Sequence, residues 1–331
     1  MDENAAVDAL QLIAQVATQS GDDFTTDLTT NSSPTVRRRP STQAQRTRPA
    51  TQGADTEPRS HVRVCCLQLG ERSANESPWD SAQRALACLT SVAINERDVD
   101  LFVFPEMAPF GSSQDTFTKY LPLSQEWQRL YQRIDEAFAT QAKELGVFIV
   151  YGMIGWYRRE TDRSLKFTLQ HKVVDRRGNL VAVYDKSYLS DVEFRFFEAG
   201  PRKTTTFEID GFRFGLLVGD DLKYPNMPRS LARDCDVDVI IHPSASPVPR
   251  YFRQCRATEN AVYVLGVEYS NGITVAVPPD PDHAPVALES PQDEEGDEGY
   301  LLTKIQRAAM QYARSNFPYY RHMKTEPTTV L

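Results

Sequence analysis

The chain reads as an α/β protein in which amphipathic helices cover sheets. Short apolar runs at 62–69, 101–104, 147–154 and 237–241 have the length and composition of buried strands. Between them lie segments whose apolar residues recur every three or four positions, the period of a half-buried helix. The two patterns alternate, which is the order expected when helices pack on sheets.

Composition sets the scale. Of 331 residues, 40% are apolar and 25% charged, enough to bury one large core of about 250 residues. No apolar run approaches the roughly 20 residues that span a bilayer. The N-terminus lacks a basic start followed by a hydrophobic stretch, so a secretory signal is not expected. Five cysteines without scaffold spacing agree with a reducing compartment, and the reading is cytoplasmic. The charge balance, 37 basic against 45 acidic residues, gives −8 and argues against nucleic acid as the main partner.

Residues 1–60 are rich in Ser, Thr, Gln and Asp, with Phe24 as their one aromatic. Such a segment buries too little apolar surface to offset chain entropy, and a disordered tail is expected. Within it, residues 5–18 carry Val7, Leu10, Ile13 and Val16 at near-helical spacing, short for an independent helix. Arg37, Arg38 and Arg39 form either a solvated basic linker, a nuclear address, or a kinase-recognition site around Ser41 and Thr42. The tail is also a candidate docking segment for protein partners.

The folded region, 61–324, opens with the strand at 62–69. Cys65 and Cys66 are adjacent on it, so their side chains leave on opposite faces and suit packing better than joint metal ligation. A helix at 81–94 has Ala85, Leu86, Leu89 and Val92 on one stripe, followed by the strand at 101–104. The clearest helix is 124–145. Its apolar positions are Trp127, Leu130, Ile134, Phe138, Ala142 and Leu145, with Ser124 as cap and Gly146 as stop. Strands at 147–154 and 167–174 follow, then a turn at 175–179 and a strand at 180–184. After a strand from Phe214 to Val218 comes a turn at Gly219-Asp220-Asp221, and a helix begins at Met227. Strand, helix and strand follow at 237–241, 250–260 and 261–268. Cys235 and Cys255 fall on helices and read as packed thiols. An acidic, proline-rich interruption at 278–298 reads as a mobile surface loop before a strand at 300–305, and 325–331 as a short C-terminal tail.

The stretch Phe214-Gly-Leu-Leu-Val-Gly-Asp-Asp-Leu-Lys-Tyr-Pro225 looks like a buried strand ending in a tight elbow before a helix. It resembles the nucleophile segment of the carbon–nitrogen hydrolase (nitrilase) superfamily, where a cysteine stands at the place held here by Gly219. Other motifs carry the same resemblance in order. Phe104-Pro105-Glu106 is similar to the segment that supplies the family's base, and Tyr184-Asp185-Lys186 to the one that supplies its lysine. Glu193, in Val192-Glu-Phe-Arg-Phe-Phe-Glu-Ala-Gly200, matches a supporting glutamate of the carbamoylase and amidase branches. His242-Pro-Ser-Ala and Arg256-Ala-Thr-Glu-Asn260 match the strand and helix that complete the site wall. Residues 314–324 are similar to the family's C-terminal segment.

The resemblance implies a four-layer α-β-β-α sandwich, a homodimer or larger assembly, and catalysis without metal or organic cofactor. It implies Glu106 as base, Lys186 as oxyanion stabiliser and Glu193 as support for Lys186. Lys223 stands where some relatives place a basic residue near a substrate carboxylate, and Asp221 matches an Asp with a binding or structural role. Glycine brings no nucleophile, although it suits a strained elbow. Losing the nucleophile of a concerted triad removes on the order of a millionfold in turnover. Two readings follow. In the first the chain is a pseudoenzyme that binds a small amide, ureido or carboxylate ligand, or a protein. In the second it is an active hydrolase of amide or N-carbamoyl bonds that uses water or a non-standard nucleophile, with Glu106 as base and Lys186 as oxyanion stabiliser.

Overall fold

The computed structural model describes residues 59–70, 72–73, 76–111, 119–121, 124–269, 272–276, 288–289 and 299–325. The expected disordered tail, its helical stretch at 5–18, the Arg37–39 cluster and the tail at 325–331 lie outside these residues, apart from Arg59, Ser60 and Thr325.

Two six-stranded sheets stack face to face. The first has the order β12-β1-β2-β3-β4-β5, with β1 His61–Gln68, β2 Leu101–Val103, β3 Phe148–Arg158, β4 Leu165–Val174, β5 Leu180–Asp185 and β12 Gly299–Gln306. The second has the order β11-β10-β9-β8-β7-β6, with β6 Thr206–Ile209, β7 Phe212–Leu216, β8 Val239–Pro243, β9 Tyr263–Val267, β10 Ile273–Ala276 and β11 Leu288–Glu289. In each, three central strands run parallel: β1, β2, β3 in the first and β7, β8, β9 in the second. Antiparallel strands flank them on both sides.

Between the sheets lies a core that includes Val62, Val64, Cys66, Val103, Val150 and Val173 from one side and Phe214, Leu216, Ile241, Leu265 and Val275 from the other. Cys65 is buried as well but does not belong to that cluster, as the alternation of a strand requires. Helices α1 Pro78–Asn95 and α2 Gln125–Leu145 cover the first sheet. There Phe138 of α2 stacks on Tyr151 of β3 at a centroid distance of 4.2 Å. Helices α3 Asn226–Cys235 and α4 Arg250–Asn260 cover the second through Leu231, Ala232, Ala257 and their neighbours. The result is the four-layer α-β-β-α sandwich. Two further helices, α5 Arg307–Asn316 and α6 Pro318–Thr325, close the described chain.

Local signals act as the sequence suggests. Ser124 caps α2 by accepting from the Trp127 amide, and Gly146 ends it at φ +67°. Three features differ from the sequence reading. Asp210 (φ +49°) and Gly211 (φ +81°) form a hairpin turn, so β6 precedes β7 as an edge strand. Within the acidic interruption, Leu288 and Glu289 pair with Val275 and Thr274 of β10; its other residues are not among those described. Cys255 is exposed rather than packed, because the buried stripe of α4 runs through Arg253, Arg256, Ala257 and Asn260 and leaves residue 255 outside it. Cys235 is partly buried and donates to the Thr204 hydroxyl.

Strand direction separates the two ends of the sandwich. At one end Arg59 and Arg176 both bridge Asp100, just before β2, to Asp210 in the β6–β7 turn. The opposite end, where the parallel strands finish, carries the site. No helix among the described residues is long and apolar enough to cross a membrane.

Candidate active site

Glu106 lies three residues beyond β2, Lys186 directly after β5, and Gly219 three residues beyond β7. The carboxyl ends of parallel strands are where open backbone turns can converge on a ligand. Glu193 opens a short 3-10 turn, Glu193–Arg195, and reaches back across seven residues.

The Lys186 ammonium joins both carboxylates. Its Nζ donates to Glu106 Oε1 at 3.0 Å and to Glu193 Oε1 at 2.7 Å. All three side chains are buried. The free Oε2 of Glu106 accepts from the Ala245 amide at 2.9 Å, and that of Glu193 from the Ser190 amide at 2.8 Å. Two carboxylates around one ammonium lessen the cost of burying any of them. Burial nonetheless pushes the Glu106 carboxyl up to about 7 against the pull of Lys186. Burial alone would lower the proton affinity of Lys186, but the two carboxylates outweigh it and keep the amine protonated.

Gly219 begins the 3-10 turn Gly219–Lys223, with φ +51°. A Cβ at this position would stand 2.5 Å from Lys186 Nζ and 3.0 Å from Glu106 Oε2. Position 219 therefore faces the charged cluster directly, and any side chain there would touch both catalytic-type groups.

The elbow is anchored from behind. Burial and the nearby Arg253 guanidinium keep the His242 imidazole neutral. Its Nδ1 accepts from Arg253 Nε at 3.3 Å, so its Nε2 donates to the Gly219 carbonyl at 2.8 Å. Arg253 in turn is paired with Glu268, both of them buried. Arg256 donates to the carbonyls of Leu222 and Lys223.

Of the residues expected at the site, Glu106, Lys186, Glu193 and Gly219 come together. Asp221 is fully buried beside them, but its oxygens are taken up by the Tyr184 hydroxyl and the Ser187, Tyr188 and Val218 amides at 2.8–3.1 Å. Four donors meet about four lone-pair sites, which makes it an anchor between the Lys186 segment and the elbow. Lys223 pairs with Asp220 at 2.7 Å and its side chain is 43% exposed, because the 3-10 turn sets residues three apart side by side. His242 and Ala245 take part as the wall motif implied. No sequence motif points to Arg253, Tyr269 or His171. The Tyr269 hydroxyl lies 3.0 Å from the carbonyls of both Glu106 and Met107.

A family model for carbon-nitrogen hydrolases matches residues 63–314. The chain belongs to the carbon-nitrogen hydrolase family. Among curated members of similar sequence, a Pseudomonas protegens protein described as a hydrolase in the pqqF 5' region is 30% identical over 189 residues. That match takes in 55% of this chain and 62% of the relative. The rat deaminated glutathione amidase is 23% identical over 217 residues, 57% of this chain and 63% of the relative. The chain thus spans under two thirds of the length of these two hydrolases.

Solved structures of nitrilase-superfamily proteins share the fold. An amidase variant from Nesterenkonia sp. AN1, carrying the acetamide moiety of fluoroacetamide on its active site cysteine, superposes with a TM-score of 0.61 at 18% identity. It covers 82% of this chain and 99% of its own. Nit3 of Saccharomyces cerevisiae superposes with a TM-score of 0.62 at 18% identity, over 80% of this chain and 97% of its own. Among the described residues no group of three or more His, Cys, Asp or Glu side chains is arranged to hold a metal ion.

Proposed function

We propose that this carbon-nitrogen hydrolase-family chain is a pseudoenzyme whose site binds a small amide, ureido or carboxylate molecule without forming a covalent intermediate. The observation that carries the reading is Gly219. It occupies a position where a side chain would meet both Glu106 and Lys186, and it has no side chain to attack with. The family's covalent route needs a nucleophile beside a base and a cation. The base and cation are present here. The five cysteines stand at 65, 66, 88, 235 and 255, on β1, α1, α3 and α4. Cys66, between the sheets, has its thiol pushed up to about 12 by burial, the reverse of an activated thiolate.

One observation favours a second reading, water-based hydrolysis. A carboxyl held near 7 divides between acid and base at neutral pH, the condition in which general-base help to a water molecule is most effective.

Ammonia release from a panel of amides, N-carbamoyl amino acids and nitriles separates the two. The pseudoenzyme reading expects no turnover by the natural protein and measurable turnover by Gly219→Cys once Lys186 yields the space. Turnover by the natural protein that disappears in Glu106→Gln would overturn that reading in favour of activated water.

A further inference from the structure

Within reach of the Lys186 charge lies an imidazole without a hydrogen-bond partner among the described residues. His171 sits on β4, paired with Gly152 of β3 on one side and Tyr184 of β5 on the other. Its strand neighbour Val173 and its cross-strand partner Tyr184 both belong to the inter-sheet core, so by the two-residue period His171 points between the sheets as well. It is 1% exposed, and neither ring nitrogen has a hydrogen-bond partner among the described residues.

The sequence makes room for this ring. A Cβ on Gly152 would stand 3.0 Å from both Cε1 and Nε2 of His171 and 2.4 Å from the Met107 amide nitrogen. Only a residue without a side chain lets the imidazole edge lie beside the Glu106–Met107 turn. Burial, with a further contribution from the Lys186 charge, holds the ring's proton affinity down to about 3. The imidazole is therefore neutral, with one N–H to donate and one lone pair to accept. Leaving both unmade in a buried place is costly, so a polar occupant is called for.

We propose that His171 is a ligand-binding residue of this site, contributing one hydrogen bond to a neutral carboxamide or ureido group held beside Glu106 and Lys186. This assignment rests on the ligand-binding reading above and narrows it. A carboxamide presents both a carbonyl acceptor and N–H donors, matching the mixed character of a neutral imidazole, the Lys186 ammonium and the Glu106 carboxyl. A carboxylate presents acceptors alone and would meet the two buried glutamates.

The test is ligand-induced thermal stabilisation of the full chain by propionamide, methylurea and propionate, in the natural protein, His171→Phe and His171→Gln. The expected pattern has three parts. Propionamide and methylurea raise the melting temperature of the natural protein more than propionate does. His171→Phe melts no lower than the natural protein without ligand, since it removes polar atoms that have no protein partner, yet loses at least tenfold in apparent affinity. His171→Gln, which keeps a donor and an acceptor, retains part of the binding. A residue that serves packing alone gives the reverse: a lowered melting temperature in His171→Phe with affinity unchanged, which would overturn the assignment while leaving the ligand reading standing. No stabilisation of the natural protein by any of the three defeats the ligand reading itself and this assignment with it. Should His171→Phe not fold, the 15N-histidine-labelled natural protein decides through the His171 imidazole nitrogen resonances, assigned by their absence from His171→Gln: these move on saturation with propionamide if His171 binds it and stay fixed if it does not.

Discussion

The Nζ of Lys186 lies 2.5 Å from the point where a Cβ on Gly219 would stand. The ammonium fills the space that a side chain at the elbow would need, and its two glutamate partners hold it there.

Gly219→Ala therefore loses on two counts. Alanine at φ +51° is strained by about 1–2 kcal/mol, and the new methyl group displaces a buried ammonium from its partners. The melting temperature should fall by several degrees, at roughly 2–4 °C per kcal/mol for a domain of this size. An unchanged melting temperature would mean that Lys186 moves aside freely.

Glu106 should make the protein less stable as pH rises. Its carboxyl titrates near 4.5 when unfolded and near 7 when folded. Between those values the native state holds a proton that the unfolded chain has released, so this group's contribution falls from pH 4.5 to 7. Urea midpoints across that window should decline less in Glu106→Gln than in the natural protein. Asp221, raised by burial to about 6, contributes a similar fall between 3.8 and 6 in both proteins and cancels from the difference.

His171 has the opposite sign. Its unfolded value is near 6.5 and its folded value about 3, so below pH 6.5 the unfolded chain takes up a proton that the native state refuses. Stability from this group is present above 6.5 and is lost on acidification towards 3. His171→Phe should remove its share of that loss, with the share of buried His242 remaining. Parallel acid limbs in the two proteins would contradict the buried neutral state.

Asp221→Asn turns an acceptor of four hydrogen bonds into a group with two donors of its own. The amide would face at least one backbone N–H, and about 3 kcal/mol of stability should be lost, given 1.5–3 kcal/mol for each hydrogen bond to a charged group. Chemical denaturation measures it. A stable variant that had lost ligand binding would return Asp221 to the role of a binding residue.

Much of this molecule is legible as sequence; of the rest, some carries a signal that the reading passes over and some depends on tertiary structure. Helix α2 announces both ends, through the Ser124 cap and Gly146 stop, and its buried stripe includes Ile134, Phe138 and Ala142. Three charged site residues are legible because each follows an apolar strand or its turn in a fixed order. Strand β6 has a signal of its own, since Asp210-Gly211 stands between two β-patterned runs as a hairpin turn would. The start of α1 carried a comparable signal: Ser77 with Asp80 forms a capping box, placing the first turn at Pro78 rather than Ser81. Helix α5 was harder, since its buried residues are only Met310 and Ala313. Lys223 illustrates the limit of spacing, for a 3-10 turn rather than distance along the chain decides that it meets Asp220. His171 was beyond reach: a histidine in a strand is ordinary, and its lack of partners exists only once two sheets have closed over it.

The pairing of β1 with β12 has a consequence for how the protein is made. His61 meets Gln306 and Gln68 meets Gly299, so the second strand of the first sheet waits for a partner synthesised more than two hundred residues later. Until that partner leaves the ribosome, β1 has an open edge and the sheet is one strand short. Completion must be a late, slow event that favours assistance from chaperones, and truncations before Gly299 should yield aggregates rather than a smaller working protein.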